Sequence, residues 1–288
     1  MFDVTFLCRR ERLRGILQGE ACVYPASVYD PISARIAEHL GFEMGMYAGS
    51  LASLAVLAAP DLILLTQTEF AQQALRMGRA SELPLFADAD HGYGNALNVK
   101  RTVEELELAG LAGLSIEDTE LPQPFGSGGK ASLLSIEEGV GKMRAAVNGR
   151  SDAAMVIAGR TSAAQLTSVD DAIERSQAYV KAGVDAIFLV GVPSRAVLEE
   201  IAGEIDVPLL LGGGAEEMRD LKWLAGQGVR FLLRGHQTFS ASVQAIYETM
   251  KALRDGVEPE GVQGTASQEL MKAVTRAGDY ARQGKDWL

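Results

Sequence analysis

The chain has 288 residues, of which 47% are hydrophobic and 23% charged, and its formal net charge is −11. This composition is typical of a globular protein, and an acidic chain without a basic stretch disfavours nucleic acid as a partner. No apolar run approaches the ~20 residues that cross a bilayer, and the start, MFDVTFLCRRERLRG, lacks a secretory-signal pattern. We therefore expect a cytoplasmic protein without membrane partners, whose Cys8 and Cys22 are reduced thiols.

Short apolar runs predict eight strands buried on both faces. In chain order these runs are ACVY near residue 22, MGMY after Gly41, LPLFADA near 86, GLSIE after Gly110, AAMVIAGR near 156, AIFLV after Gly183, VPLLLG near 209 and RFLL after Gly228. The four glycines in this series resemble left-handed C-terminal caps of the helices before them. The chain therefore repeats one helix-to-strand connection.

Amphipathic stretches fill the gaps between these runs and predict helices. They cover residues 31–40, 67–79, 98–109, 135–148, 168–181, 194–203, 215–226 and 237–253. Asn98 and Ser168 are the predicted N-caps of two of them, since their side chains can accept from the first free backbone N–H groups.

Strands and helices that alternate eight times predict a parallel sheet with right-handed crossovers. Eight is the number at which such a sheet closes into a (β/α)8 barrel, and an open doubly wound sheet is the alternative. No low-complexity linker divides the chain before residue 254. We expect residues 1–254 to form the barrel and residues 255–288 to form a C-terminal helical arm, whose last helix, 267–283, packs on a partner subunit.

Polar residues follow five of the predicted strands, at the face where barrels carry their active sites. They are Tyr47 to Ser50 after the second strand, Asp88 and Asp90 after the third, Glu117 and Asp118 after the fourth, Arg160 and Thr161 after the fifth, and Arg234 and His236 after the eighth. The sequence therefore predicts one polar site at this mouth of the barrel.

The acidic residues of this set indicate a metal site. Asp88 and Asp90 are two apart, which places both on one face of a strand, and Glu117 belongs to the neighbouring strand. Three such carboxylates repel one another unless a proton or a cation lies among them, and an all-oxygen set suits Mg²⁺ or Mn²⁺. The alternative is that the two aspartates cap the next helix or brace a turn.

Three further features are candidates for substrate contacts. Arg160 offers a planar fork to a substrate carboxylate, or else pairs with Glu117 or Asp118. Backbone N–H groups near Gly49 could bind an oxyanion, although Gly-Ser turns are often only turns. His236, and to a lesser degree His91, are the histidines placed for a function, whereas the glycines 212–214 predict a tight turn rather than a phosphate site.

Four ordered motifs carry a resemblance to a known family. SVYDPISARIAEHLGFEMGMYAGS, FADADHGYGN, GLAGLSIED and VIAGRT resemble the isocitrate lyase / phosphoenolpyruvate mutase superfamily over roughly residues 10–250. The resemblance implies a (β/α)8 barrel whose last helix is exchanged with a neighbouring subunit. It also implies a homotetramer that is a dimer of dimers.

The resemblance further implies the roles of the site residues. It places Mg²⁺, with Mn²⁺ as a substitute, on Asp88 directly and on Asp90 and Glu117 through water, with Asp61 as a further acid. It places Tyr47, Gly49 and Ser50 around the C1 carboxylate and C2 oxygen of an α-keto acid, and Arg160 as a partner of the bound acid.

One departure from the superfamily bears on the reaction. Its lyases carry a Lys-x-Cys-Gly-His type loop after the fourth strand, whereas the corresponding segment TELPQPFGSGGKAS has neither Cys nor His. Cleavage of isocitrate or methylisocitrate loses its acid as a result. Decarboxylation of oxaloacetate needs no such acid, because the chelated metal withdraws charge while the C3–C4 bond breaks.

The resemblance is therefore nearest to the members of the superfamily that decarboxylate oxaloacetate to pyruvate and CO2. His236, Arg160 and Tyr47 are the predicted catalytic residues, with His236 beside the C4 carboxylate or assisting protonation of C3. Ser50, Gly49, Arg160 and His236 are the predicted substrate contacts. Two alternatives stay open: another C–C or P–C bond lyase such as a 2-methylisocitrate lyase, and a non-catalytic barrel that binds a keto acid.

Overall fold

A computed structural model describes residues 2–288, with side chains from Phe6 onward. Its eight strands are parallel and hydrogen-bonded in chain order: β1 Ala26–Ser27, β2 Gly45–Ala48, β3 Leu85–Asp88, β4 Gly113–Glu117, β5 Val156–Thr161, β6 Ala186–Val190, β7 Leu209–Gly212 and β8 Val229–Leu233. Val23 forms a parallel bridge with Phe231 of β8, which closes the sheet. The predicted (β/α)8 barrel is confirmed, and the doubly wound alternative is wrong.

The first strand lies later than its predicted position. Of the segment ACVY, only Val23 joins the sheet, where its N–H donates to the Arg230 carbonyl and its carbonyl accepts from the Leu232 N–H, both at 3.0 Å. Strand β1 itself is Ala26–Ser27 and pairs with β2. Hydrophobicity alone therefore placed this strand wrongly, because the true pairing follows the register of the barrel.

Thirteen α-helices surround and extend the barrel within the described chain. They are α1 Phe2–Gln18, α2 Pro31–His39, α3 Gly49–Ala52, α4 Gln67–Ala80, α5 Ala96–Leu108, α6 Ile136–Gly149, α7 Ala163–Leu166, α8 Val169–Ala182, α9 Arg195–Ala202, α10 Leu221–Gly226, α11 Gln237–Arg254, α12 Gln268–Thr275 and α13 Ala277–Trp287. The eight predicted helices correspond to α2, α4, α5, α6, α8, α9, α10 and α11. None of the helices between residues 2 and 288 combines the length and hydropathy that a membrane span requires.

The predicted helix ends are mostly confirmed. Gly41, Gly110, Gly183 and Gly228 all have left-handed φ values, between 79° and 102°, and Ser168 caps α8 by accepting from the Asp171 N–H. The assignment of Asn98 is wrong. Asn95 is the N-cap of α5, and Asn98 lies three residues later, where its side chain accepts from the Asn95 N–H at 3.1 Å.

The interior of the barrel holds three aromatic rings below the candidate site. Phe86, Phe188 and Phe231 are fully or almost fully buried and pack edge to face, with ring centroids 5.4–6.5 Å apart. Successive residues of a strand point to opposite sides, so the residues two positions beyond Phe86 and Phe188 face the same interior. These positions are Asp88 and Val190, so an acid on β3 and an apolar side chain on β6 lie directly above the aromatic rings.

The C-terminal region consists of helices with different environments. Helix α11 has no buried residue, and its exposed apolar side chains include Val243, Ile246 and Met250. The helix predicted over 267–283 is instead two helices, α12 and α13, because Arg276 between them adopts a left-handed conformation with φ 56°. Exchange of a barrel helix between subunits stays a prediction.

Helix α12 packs on its own barrel, through α2. The Arg276 guanidinium donates to both carboxylate oxygens of Glu38 at 3.0 Å, and Val274 beside it is buried. Arg35 of α2 donates to the Val274 carbonyl at 3.3 Å. Helix α12, the first half of the arm, therefore packs on the barrel of its own chain. The sequence instead predicts that the arm packs on a partner subunit.

Candidate active site

A cavity of about 580 Å³ opens at the carboxyl ends of the barrel strands. Its polar lining includes Ser50, Asp61, Asp88, Asp90, Glu117, Arg160, Arg234 and His236, and its apolar lining includes Leu62, Ile63, Phe188, Val190 and Leu233. Most of the predicted site residues therefore share one cavity. The site has a polar side, where the acids gather, and an apolar side formed by strands β6 and β8 and by the loop before α4.

Strand register brings the central residues together. Asp88 of β3 is aligned with Ser115 of β4, and Glu117 of β4 is aligned with Arg160 of β5. Ser115 and Glu117 are two residues apart, so both face the barrel interior beside Asp88. Adjacent strands thus place two carboxylates and one guanidinium at neighbouring positions.

Arg160 pairs with both of these acids. Its Nη1 donates to Oδ2 of Asp88, and its Nη2 lies 3.5 Å from Oε2 of Glu117. The alternative interpretation of Arg160, as the partner of a site acid, is therefore correct for Glu117 and wrong for Asp118. Its Nε has no hydrogen-bond partner in the described chain although it is buried, and the side chain also lines the cavity.

Two hydroxyl groups orient the same carboxylates. Ser115 Oγ donates to Asp88 Oδ1 at 3.0 Å, and Thr119 Oγ1 donates to Glu117 Oε2 at 2.6 Å. Sequence reasoning missed both. Ser115 was identifiable, because it precedes Glu117 by two residues in a predicted strand and must face the same side.

Asp90 lines the cavity, but a left-handed backbone conformation places it there rather than the predicted strand alternation. Strand β3 ends at Asp88, and Asp90 has a left-handed φ of 48°, so strand alternation does not place it. Its carboxylate lies against the Cα of Gly49 so closely that a Cβ there would overlap both carboxylate oxygens. Glycine at position 49 is therefore required for this approach, a role that differs from the predicted backbone contact with an oxyanion.

Burial and mutual repulsion act on the carboxylates of the cavity. Desolvation raises the pKa of Asp90, and the charges of Asp88 and Glu117 raise it further. Desolvation also raises the pKa of Glu117, although Arg160 opposes this. The pKa of Asp61 is raised by desolvation and then by Asp88. Crowded acids of this kind gain stability from a cation among them.

The donor set fits a hard divalent cation. All four acids offer oxygen atoms, which Mg²⁺ prefers, and Mg²⁺ commonly keeps several waters while it binds one or two carboxylates directly. Among the side chains described from Phe6 onward, no three of His, Cys, Asp or Glu converge closely enough to chelate an ion together. The oxygen-rich lining therefore fits a hard divalent cation that keeps part of its water shell.

His236 lies at the end of β8, on the opposite side of the cavity lining from β4. Its Nδ1 is 2.7 Å from Oγ of Ser27, which belongs to β1. Desolvation lowers the pKa of His236, while Asp88 and Asp61 oppose the shift. The ring is therefore neutral near pH 7. Sequence reasoning missed Ser27 because the first strand was placed too early.

Tyr47 does not line the cavity. Its ring is fully buried behind β2 and stacks on Phe70, with centroids 4.4 Å apart. Strand alternation explains this, because Met46 points into the barrel and Tyr47 therefore points toward the helices. Burial raises the pKa of its hydroxyl, which has no partner in the described residues. We expected this side chain beside the substrate, and the structure places it elsewhere.

Three other candidates are also outside the cavity lining. Asp118 is fully buried and accepts from Tyr179 Oη at 2.7 Å and Arg175 Nη1 at 3.2 Å, so it is a structural partner of α8. Thr161 is buried beside it and points away from the barrel interior. His91 is buried, and desolvation lowers its pKa to about 4.

The loop after β4 forms part of the cavity rim. Leu121, Pro122 and Gln123 line the cavity, whereas Phe125 is fully exposed. At these three positions the loop therefore brings apolar and amide groups to the rim.

The fold and the site together define a (β/α)8-barrel protein with an acidic, oxygen-rich cavity at its carboxyl mouth. The family model described as phosphoenolpyruvate phosphomutase matches residues 13–254. The chain belongs to this family, which confirms the superfamily resemblance.

Particular relatives are similar over nearly the whole chain. A Bradyrhizobium diazoefficiens protein named oxaloacetate decarboxylase is 56% identical over 99% of both chains. The structure of an oxaloacetate acetylhydrolase with the inhibitor 3,3-difluorooxalacetate has a TM-score of 0.85 and 26% identity, over 97% of each chain. A phosphonopyruvate hydrolase complex with oxalate and Mg²⁺ has a TM-score of 0.81 and 27% identity, over 97% of this chain and 98% of that one.

Proposed function

We propose that the protein is a carboxy-lyase that converts oxaloacetate to pyruvate and CO2. The observation that carries this proposal is the 56% identity, over 99% of both chains, with a relative named oxaloacetate decarboxylase. Further relatives from Rhodopseudomonas palustris and Bradyrhizobium carry the same name at 53–55% identity over 99% of this chain. The chemistry of the cavity is consistent with such an activity.

We also propose a divalent cation, Mg²⁺ with Mn²⁺ as a substitute, as the cofactor. Asp88 would hold it directly, and Asp90, Glu117 and Asp61 would hold it through water. When bound, such an ion withdraws electrons from the C2 carbonyl of a chelated α-keto acid. The oxygen-only donor set and the oxalate and Mg²⁺ complex of a structural neighbour support this proposal.

The residues on the polar side of the cavity would bind the C1 and C2 end of the substrate. Arg160 would donate to the C1 carboxylate from its Nε, which has no partner in the described chain, because its Nη1 and Nη2 already contact Asp88 and Glu117. Ser50 lines the cavity and would contact the C2 oxygen. Because the Tyr47 ring is behind β2, Tyr47 would contribute through its main chain, and Gly49 by admitting the Asp90 carboxylate.

His236 would act at the other end of the substrate. In the proposed reaction the C3–C4 bond breaks and CO2 leaves. The electron pair of that bond stays on the pyruvate fragment and forms its enolate, which then gains a proton at C3. A neutral imidazole held by Ser27 can bind the C4 carboxylate through an N–H group and can pass a proton toward C3. Interactions of this kind accelerate the reaction only if they bind the enolate better than the ketone.

Two alternative functions have less support. A lyase that cleaves a larger hydroxy acid needs a proton donor for its departing fragment, and the rim loop 121–123 supplies apolar and amide groups instead. A non-catalytic keto-acid-binding barrel would have little need for four acids and Arg160 in one cavity, since buried charges are costly.

We further propose a homotetramer in which α11 packs on a neighbouring subunit. The exposed apolar face of α11 supports this, because Val243, Ile246 and Met250 would otherwise face water. Residues 1–254 would then be the barrel and residues 255–288 the arm, of which α12 already packs on α2 of its own chain.

One experiment separates the functions. The purified protein is incubated with Mg²⁺ and oxaloacetate, and pyruvate and CO2 are measured with and without EDTA. We expect turnover that EDTA stops and that Mg²⁺ or Mn²⁺ restores. Cleavage of methylisocitrate without oxaloacetate turnover would favour another lyase, and oxalate binding without turnover would favour the non-catalytic barrel.

A further inference from the structure

A second cavity of about 390 Å³ adjoins the candidate active site. The two cavities share three lining residues: Gly213, Leu233 and Arg234. Gly213 and Gly214 have left-handed φ values of 75° and 146° and carry no side chain that would divide the space. The combined space extends beyond the acids, past His236, toward the loop after β7.

Arg234 is the cationic residue at the junction of the two cavities. Its guanidinium lies over the ring of Tyr24, 3.5 Å from the centroid, and its Nη2 donates to the Tyr24 hydroxyl. That hydroxyl in turn donates to the Arg219 carbonyl at 3.0 Å. Stacking and hydrogen bonding therefore restrict the orientation of an arginine that is otherwise exposed.

Among the side chains that the structure describes, from Phe6 onward, Arg234 has no acidic partner, and its hydrogen bond to Tyr24 is to a neutral group. Arg160, on the other side of the same cavity, differs because Asp88 and Glu117 neutralise it. An oriented guanidinium without a carboxylate partner can bind the carboxylate of a ligand. Its position indicates that this carboxylate would not be the one bound at the acidic end.

We propose, as a deepening of the proposed function, that Arg234 is a specificity-determining residue that binds an anionic substituent on C3 of a β-keto acid. The C1 and C2 end of such a substrate lies at the acids, and the departing C4 carboxylate lies at His236. A carboxymethyl group on C3 then enters the shared space and meets Arg234. The preferred substrate class therefore includes β-keto tricarboxylates such as 3-(carboxymethyl)oxaloacetate.

The reaction of this substrate balances in the same way as that of oxaloacetate. The bond between C3 and the C4 carboxylate breaks, and CO2 leaves. The electron pair forms the enolate of the remaining α-keto dicarboxylate. A proton from solvent adds to C3, and the carboxymethyl group stays intact.

The test compares three substrates in one assay: oxaloacetate, 3-(carboxymethyl)oxaloacetate and 3-isobutyloxaloacetate, whose C3 substituent has a similar shape but no charge. We expect the wild-type kcat/KM to be about fivefold higher for the carboxymethyl than for the isobutyl compound, as for an exposed but oriented ion pair. Arg234→Gln should abolish this preference through KM, and Arg234→Lys should restore part of it. Raised salt should weaken the preference in the wild type.

Two further variants separate positioning from charge. Tyr24→Phe keeps the stacked ring but removes the hydroxyl, and we expect it to lose part of the preference. Arg144→Gln is the matched control, since Arg144 is an exposed arginine of α6 that lines neither cavity, and it should keep the full preference.

Two results would overturn the proposal for Arg234: an unchanged substrate preference in Arg234→Gln, or equal kcat/KM for the two substituted compounds in the wild type. In both cases, turnover of oxaloacetate would still support the proposed function. Absence of metal-dependent oxaloacetate turnover in the wild type would overturn both, because the role of Arg234 rests on that reaction.

Discussion

Oγ of Ser27 lies 2.7 Å from Nδ1 of His236, and this contact joins the first strand of the barrel to the loop after the last. It fixes the orientation of the imidazole in the cavity. Replacement of His236 by Ala should lower kcat by about 100-fold, the lower range for loss of a positioned acid or base. Ser27→Ala should cost less, about two- to fivefold, because the ring is retained. Steady-state kinetics with oxaloacetate, together with Mg²⁺ titration, checks both.

The same pair of variants distinguishes catalysis from metal binding. We expect the Mg²⁺ concentration for half-maximal activity to stay nearly constant in Ser27→Ala and His236→Ala. An equal loss of metal affinity and turnover in His236→Ala would contradict the role that we assign to it.

Asp88→Ala should abolish metal-dependent turnover while the barrel stays folded. Asp88 is the proposed direct ligand, and it also pairs with Arg160, which would retain only Glu117. Loss of one partner of a buried charge pair is destabilising, and we expect a cost of about 1–3 kcal/mol. Circular dichroism, thermal unfolding and activity with Mg²⁺ measure these effects, and wild-type kinetics in the variant would remove Asp88 from the site.

Mg²⁺ should raise the melting temperature of the wild-type protein. An ion that binds only the folded state stabilises it by mass action, and here it would also relieve repulsion among the buried carboxylates. Differential scanning fluorimetry with MgCl₂, against NaCl of equal ionic strength, measures the shift. We expect the shift to be absent in Asp88→Ala, and a shift of wild-type size in this variant would argue against the proposed ligand.

Gly49→Ala should impair the enzyme although the new side chain is only a methyl group. The added Cβ would overlap the carboxylate of Asp90, which must move away. We expect a loss of about 1–3 kcal/mol, as for other overpacked sites, and a fall of at least tenfold in kcat/KM. Gly141→Ala is the matched control, because its Cβ would meet no atom within 4 Å. It should keep full activity and gain up to about 1 kcal/mol in helix stability.

The two cysteines should differ in reactivity. Cys8 is exposed, whereas Cys22 is buried and burial raises its pKa to about 12. The Cys22 thiol therefore stays protonated at every pH below this value, and the thiolate is the reactive form. At pH 8 a thiol reagent should label one cysteine of the folded protein and two in denaturant. Rapid labelling of Cys22 without denaturant would be inconsistent with this environment.

Helix α11 should control the assembly. Ile246→Glu places a charge on its exposed apolar face, and we expect it to reduce the mass measured by light scattering from a tetramer toward smaller species. Gln244→Glu, on the same helix but at a polar position, is the control and should keep the wild-type mass.

Much of the fold could be predicted from the sequence, because the eight predicted helices are amphipathic, seven of the strands are short apolar runs, and four glycines end helices before strands. The first strand could not, because it has only two residues and is defined by its neighbours in the closed sheet. The helices α3 and α7 are also short, with four residues each, and so have no periodic pattern to detect.

The candidate site could be predicted where strand alternation applies. Asp88, Glu117 and Arg160 lie at or beside the ends of neighbouring strands, and alternation turns all three toward the interior. The same alternation turns the Tyr47 side chain toward the helices, because its neighbour Met46 faces the barrel interior. Asp90 depends on a left-handed backbone, and a pattern with a period of two does not reveal this.

The bridge between Val23 and Phe231 means that the seam of the barrel joins segments that are far apart in the chain. During synthesis, a ribosome must deliver the chain beyond β8 before the seam can close and before Ser27 can meet His236. A polypeptide that ends before β8 would keep the four acids but would lack the side of the cavity that β8 and His236 form. Such a truncated protein should therefore have no activity.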